Sequence, residues 1–227
     1  MLPRILEPEV MDSADEALDY DAMDHREVNR RFVDDFLAVW NRANPILDVG
    51  TGTAQIPIEL CRQVPSAQII GIDLAESMLC VGRKNIQQAG FETAIRLEHQ
   101  DAKNLPYQDE SIAAVISNSI VHHIPEPARV LREMVRVCQV GGTLFVRDLM
   151  RPAESKHLEH LVATYAQGAN EHQRAMFAAS LHAALTLDEM RQIIADLGYD
   201  PMTVTVSSDR HWTWTAVRQP MRRHIVA

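Results

Sequence analysis

The chain has 227 residues, 46% of them hydrophobic and 23% charged, and its 22 Lys and Arg against 31 Asp and Glu leave a net charge of −9. A chain of about 200–250 residues can bury one sizeable α/β core, and this composition excludes disorder and collagen. The acidic balance repels phosphates over most of the surface and so disfavours a nucleic-acid partner.

No apolar run approaches the roughly 20 residues of a membrane helix, and the N-terminal stretch lacks the apolar centre of a secretion signal. A cytoplasmic protein without membrane contact is the expectation. Cys61, Cys80 and Cys138 are scattered without a CxxC pair and read as buried packing residues in a reducing compartment.

In chain order, Val28, Phe32, Phe36 and Trp40 recur at i, i+4 spacing and predict a helix within a segment, 1–44, that is either a cap or core packing. Ile46 to Val49 is a short apolar strand ending in glycines. A helix follows from about Ala54 to Val64, and a second strand spans Ala67 to Ile72. The next helix places Met78, Gly82 and Ile86 on one face, with Gly82 allowing close packing, and ends at Gly90. A strand from Thr93 to Glu98, a loop from Asp101 to Glu110 and a strand from Ile112 to Ser117 come next. Val130, Leu131, Met134, Val135 and Cys138 then predict a helix after Pro127, ended by Gly141 and Gly142, before a fifth strand from Thr143 to Asp148. Strands joined by helices predict a doubly wound parallel sheet over 45–149, with ligands at the strand C-termini.

The segment 150–185 carries Leu158, Leu161, Val162, Tyr165, Met176, Phe177, Leu181 and Leu185, again either a helical cap or core. Thr186 and Glu189 form a capping-box pattern before Met190, Ile193, Ile194 and Leu197, with Gly198 placed to end that helix. Met202, Val204 and Val206 alternate, residues 207–210 make a turn, and Trp212, Trp214 and Ala216 alternate again. The segment 186–227 therefore reads as a helix followed by an antiparallel hairpin. The whole chain, 1–227, is expected to form one domain.

The strongest local signal is ILDVGTGTAQ, with Asp48 inside a strand and a tight turn at Gly50, Thr51 and Gly52. Asp73, about 20 residues on, is placed to accept hydrogen bonds from ribose hydroxyls. Gln55 stands where dinucleotide-binding turns carry a third glycine, which weakens a pyrophosphate reading, and no P-loop is present. A nucleoside without phosphate is the ligand these residues favour.

The chain resembles the class I S-adenosylmethionine-dependent methyltransferases. ILDVGTGTAQIPIEL resembles the family's first motif, GIDLAESML its second-strand motif, and the run from His99 to Pro152 its fourth and fifth strands. The resemblance implies a seven-stranded Rossmann-like sheet whose last strand is antiparallel, and S-adenosylmethionine as cofactor with S-adenosylhomocysteine as product. It implies that Gly50, Thr51 and Gly52 lie against the methionine part and that Asp48 organises their loop. Asp73 would hold the ribose, with Leu74 against the adenine, and Met78 is a further cofactor-binding residue. Asp101, followed by Ala102, would accept from the adenine amino group, Asn118 would mark where the ammonium is received, and Tyr20 could reach the methionine carboxylate. Ala54 departs from the glycine often found there.

A sulfonium methyl is already activated, so such an enzyme mainly aligns a nucleophile and excludes water. A hydroxyl acceptor would gain from a base near neutral pKa. His123, with His122 beside it after the fourth strand, is the expected base, against the alternative that neither takes part in proton transfer, since the resemblance includes similar His-His or Leu-His pairs at this place in relatives with diverse acceptors. Asp148, beside Arg147 and Arg151, either orients substrate or forms a local ion pair. His157 and His160 share helical spacing without a third ligand, so no metal is read. Methyl transfer to a small-molecule acceptor leads. RNA or protein methylation would call for a basic face or an added recognition domain, a nucleotide-binding oxidoreductase is disfavoured by Gln55 and the Asp101 loop, and a non-catalytic S-adenosylmethionine-binding protein is the third alternative. Exposed apolar surface on the caps would favour a homodimer.

Overall fold

A computed structural model describes residues 2–7 and 12–220. Parts of the predicted terminal segments, residues 1, 8–11 and 221–227, lie outside the described residues. The strands are β1 Ile46–Val49, β2 Ile69–Asp73, β3 Ile95–His99, β4 Ile112–Asn118, β5 Cys138–Leu149, β6 Val204–Val206 and β7 His211–Val217. They form one sheet in the order β3-β2-β1-β4-β5-β7-β6. The first five strands are parallel, and β7 runs antiparallel to both β5 and β6. The closing hairpin expected from alternation is therefore present, although Met202 precedes it in a short 3-10 turn, Pro201–Thr203, and is exposed.

Every residue of β1 is buried, as a strand covered by helices on both faces requires. One face is covered by α2, Arg26–Val39, and α3, Gln55–Gln63. Phe32 and Phe36 of α2 are fully buried against Phe145, with ring centroids 5.1 and 5.8 Å away. At about 2–3 kcal/mol for each buried aromatic, this stripe is core packing. The other face is covered by α5, Pro127–Val137, and α8, Leu187–Asp196, through Val130, Leu131, Met134, Met190 and Ile194. Thr186 and Glu189 form the capping box that starts α8.

Several further details differ from the sequence reading. The helix α5 stops at Val137, because Cys138 turns extended and pairs with Ile112, beginning β5 five residues early. Gly141, with φ +82°, and Gly142, where a Cβ would meet Ala113 O at 2.7 Å, form an irregularity inside that strand and do not end a helix. The strand β3 starts at Ile95 because Phe91 to Ala94 close a turn, Ala94 N–H donating to Phe91 O at 3.0 Å. Cys80 is exposed on α4, Glu76–Ala89, whereas Cys61 and Cys138 are buried as expected.

The remaining helices gather at the C-terminal edge of the sheet. The short helix α1, Ala14–Asp21, starts in a capping box from Ser13 and lies on α4 through Ala17 and Tyr20 against Ala75, Met78 and Val81. A hairpin of α6, Ser155–Tyr165, and α7, Glu171–Ala183, encloses its own apolar cluster of Leu158, Leu161 and Leu181 with Leu149. Among the described residues, no helix is long and apolar enough to cross a membrane.

Candidate active site

The strand order reverses between β1 and β4, and a crevice outside the carboxyl ends of strands forms at such a point. A cavity of about 120 Å³ lies there. Its floor is the turn after β1, where Gly50 and Gly52 have φ +76° and +54°. The turn is tied to β2, since Gly50 N–H and Thr51 N–H both donate to Ile72 O at 2.9 Å. Ala54, at φ +63°, occupies the left-handed region just before α3, which is the physical reason glycine suits that position.

Asp73 ends β2 on the cavity wall. Its Oδ2 accepts Gly52 N–H at 2.8 Å and its Oδ1 accepts Ala75 N–H at 2.9 Å. A carboxylate has about four acceptor sites, so lone pairs remain for a ligand. Leu74 and Met78 continue the wall, followed by Asp101 and Ala102 after β3. Asp101 Oδ1 accepts Lys103 N–H at 2.8 Å, and the Lys103 ammonium lies 3.3 Å away. From the opposite side come Asn118, whose buried Oδ1 has no hydrogen-bond partner, and His123. Tyr20 of α1 closes over Gly52.

Ten of the thirteen residues singled out from sequence thus share this cavity, while Asp48, Thr51 and His122 stand behind its wall. Asp48 is buried within β1, its Oδ2 unpartnered, and burial together with the Asp73 charge pushes its pKa up to about 7. Burial also raises Asp73, and burial with the Asp73 and Asp48 charges pushes the Tyr20 phenol up to about 12. Thr51 is buried, and Gly71 of β2 makes room for it, since a Cβ there would meet Thr51 Oγ1 at 2.7 Å. A side-chain-free floor, a carboxylate with spare lone pairs and an unpartnered amide oxygen suit a ligand rich in hydroxyl and N–H donors. The surrounding carboxyls favour one bearing positive charge.

The histidines sit on a 3-10 turn, Val121–His123, held from below by Asp148 of β5. Asp148 Oδ2 accepts Val121 N–H at 2.5 Å, and Oδ1 accepts His122 Nδ1–H at 2.5 Å and Leu149 N–H at 2.6 Å. Burial alone would lower the His122 pKa, but the Asp148 charge and hydrogen bond together with the Glu7 charge reverse this and raise it; Asp148 is in turn lowered, the His122 charge and hydrogen bond and the Leu149 N–H together outweighing burial. The sequence reading of a local ion pair is corrected in its partners, because Arg147 bonds to Asp35 at 2.6 Å and Arg151 to Glu189 at 2.5 Å. His157 and His160 are exposed on α6. Glu7, which no motif marked, reaches the same turn, with Oε1 3.1 Å from His123 Nδ1 and 3.5 Å from His122 Nε2. Ile120 was also missed. It stands so close above Gly50 that a Cβ there would meet its Cδ1 at 2.7 Å.

Residues 41–207 match the family described as "Methyltransferase domain". The chain is 33% identical over 108 residues to the demethylmenaquinone methyltransferase of Porphyromonas gingivalis, covering 47% of this chain and 44% of that protein. It is 34% identical over 106 residues to the phosphatidylethanolamine N-methyltransferase of Cereibacter sphaeroides, covering 46% and 50%. The chain thus spans about half the length of the curated relatives it matches. The solved structure of a SAM-dependent methyltransferase from Aquifex aeolicus superposes with a TM-score of 0.65 at 16% identity, covering 91% of this chain and 98% of that one, and so shares its fold. With the matched family spanning the strands and turns that build the cavity, the chain belongs to the methyltransferase domain family, within the class I S-adenosylmethionine-dependent group.

Proposed function

We propose that the protein transfers the methyl group of S-adenosylmethionine to a small-molecule acceptor, with S-adenosylhomocysteine as product. The observation that carries this reading is the single cavity that joins the Gly50–Gly52 turn, the Asp73 carboxylate and the Asn118 amide oxygen to His123. When bound, the cofactor supplies a methyl group already activated by the sulfonium charge.

In this reading Asp73 accepts from the ribose hydroxyls with the lone pairs that Gly52 and Ala75 leave. Leu74 and Met78 give the adenine an apolar wall, and Asp101, with Ala102 beside it, accepts from the adenine amino group. Asn118 Oδ1 receives the ammonium. Tyr20, held protonated, donates to the carboxylate at the other side of the tail. Asp48 contributes from beneath the turn as a buried carboxyl whose ionised form is stabilised by a cation above it, and Thr51 fixes the turn against β2. These residues orient the methyl group and keep water out, which is most of what an in-line displacement needs.

His123 is the group on the cavity wall placed to take a proton from the acceptor, and His122 positions it through the bond to Asp148. The names of the relatives support a small-molecule acceptor with an apolar part, and the apolar α6–α7 hairpin beside the histidine turn is consistent with one. The test is release of S-adenosylhomocysteine across a panel of hydroquinones, phenols, amines and ethanolamine lipids. Release that depends on one class supports the reading, with His123→Ala slowing a hydroxyl acceptor by about 10²–10⁴. Cofactor binding without turnover on any of them would overturn its catalytic part in favour of a binding protein.

A further inference from the structure

The side chains of Glu7, His122 and His123 each bring one donor atom to within 4.8 Å of the others. They come from distant parts of the chain. Residues 2–7 run from the loop before α6 to the end of α7: Leu2 N–H donates to Ala153 O at 3.1 Å and Ile5 N–H to His182 O of α7 at 3.2 Å. Arg4 fastens this segment to the histidine turn, donating to His122 O at 3.2 Å and Ile124 O at 3.0 Å. Glu7 is thereby delivered beside both imidazoles.

We infer that Glu7 Oε1, His122 Nε2 and His123 Nδ1 form a binding site for a divalent first-row transition cation at the acceptor end of the cavity. Two imidazoles and a carboxylate are a donor set used for such ions when a coordination position stays open. The spacing fits. With metal–ligand bonds near 2.1 Å, tetrahedral ligand atoms stand about 3.4 Å apart, and Glu7 Oε1 lies 3.1 and 3.5 Å from the two nitrogens. Glu7 Oε1 is also buried without a hydrogen-bond partner, so its short approach to the imidazoles is not an aligned hydrogen bond.

The surrounding shell supports the same conclusion. A metal-binding imidazole usually gives its other ring N–H to a carboxylate, which fixes the tautomer and the ring. His122 does so, with Nδ1–H on Asp148 Oδ1 at 2.5 Å and Nε2 turned towards Glu7. Two carboxylates, Glu7 and Asp148, with the Arg4 guanidinium nearby, leave a net negative surrounding for the cation. Because His123 lines the cavity, an open coordination position would face the acceptor.

The consequence for catalysis rests on the proposed methyl transfer; the binding does not. A hydroxyl of the acceptor would coordinate through one oxygen lone pair, would release its proton to solvent more readily, and would keep a further lone pair to attack the methyl group. With the cation seated, His123 is a ligand, and the cation replaces it in promoting that proton loss.

The probe is Co²⁺ added to the metal-stripped full chain, followed by visible absorption and displaced by Zn²⁺. The expected result is one equivalent of Co²⁺ with the intense bands of four- or five-coordination, abolished by Zn²⁺. Both effects should vanish in Glu7→Gln and His123→Ala, while a His157→Ala/His160→Ala double variant retains them. Zn²⁺ should raise the melting temperature of the parent protein but not of Glu7→Gln, which keeps the shape of the side chain. Weak six-coordinate bands common to all variants, or loss only in the His157/His160 double variant, would overturn the site. Calorimetry with S-adenosylhomocysteine on the same metal-free protein separates the two claims. Cofactor binding without a cobalt site sinks the cation alone, and a cobalt site without cofactor binding sinks the methyl-transfer reading alone.

Discussion

Asp73 Oδ2 accepts the backbone N–H of Gly52 at 2.8 Å, so the last residue of β2 braces the glycine turn that ends β1. The same carboxylate caps Ala75 N–H at the start of the next helix. Replacing it by an amide leaves one oxygen to accept and turns an NH₂ group towards a backbone donor. Asp73→Asn is expected to lose roughly 1–3 kcal/mol of stability, read by thermal denaturation, together with a larger loss of ligand affinity.

Gly50 combines a left-handed φ of +76° with the Ile120 side chain standing over it. Gly50→Ala therefore meets backbone strain and overpacking together, and a loss of roughly 1–3 kcal/mol is expected in urea denaturation. Adding Ile120→Ala should recover only the part due to contact. The backbone strain remains.

Asp48 gives a pH dependence with a definite sign. Its folded pKa, about 7, is above the unfolded value of about 3.9. Its contribution is most favourable below the unfolded pKa, and stability is lost as pH rises through the folded one. Asp48→Asn removes the buried charge, so its gain over the parent should grow by roughly 2–3 kcal/mol between about pH 5 and about pH 8. Denaturation at the two pH values checks this. In the account of the site, the same variant binds S-adenosylmethionine more weakly, because the carboxylate beneath the turn no longer answers a cation above it.

His211 has the opposite sense. Burial first, then the neighbouring Arg210 charge, pushes its pKa down to about 4. The unfolded chain takes up the proton near pH 6.5, so stability falls as pH drops from about 6.5 to about 4, by up to ~3 kcal/mol from this residue. A His211→Asn variant should show a flatter acid limb in denaturation measured across that window.

Asp148 collects two very short backbone bonds and the His122 imidazole in a fully buried place. Asp148→Asn leaves these donors facing a group that is half donor itself. A cost of about 3–5 kcal/mol is expected, together with loss of His123-dependent turnover, and urea denaturation with an activity assay checks both. An unchanged midpoint would contradict the role given to this carboxylate.

What the sequence made legible follows the range over which each feature is determined. The Gly50 turn and Asp73 sit at strand ends whose apolar runs are local, so their meeting followed from one βαβ unit. The closing hairpin was legible for the same reason, since Val204 to Val206 and Trp212 to Ala216 alternate on either side of a short turn. The boundary between α5 and β5 was not, because Cys138 continues the helical spacing of Val130 and Met134, and only its pairing with Ile112 decides the matter. Nor was the Glu7 cluster. Glu7 reaches the histidines through a strap whose bonds, from Arg4 to the turn and from Ile5 to α7, have no local pattern. Asp148 stood in view beside two arginines, and the fold sends each of those to a different carboxylate.

The most direct test of the central claim is calorimetric titration of the protein with S-adenosylhomocysteine, alongside Asp73→Ala. The account predicts one binding site per chain in the parent and its loss in the variant while the variant stays folded. No binding to the parent, or equal binding to both, would contradict it.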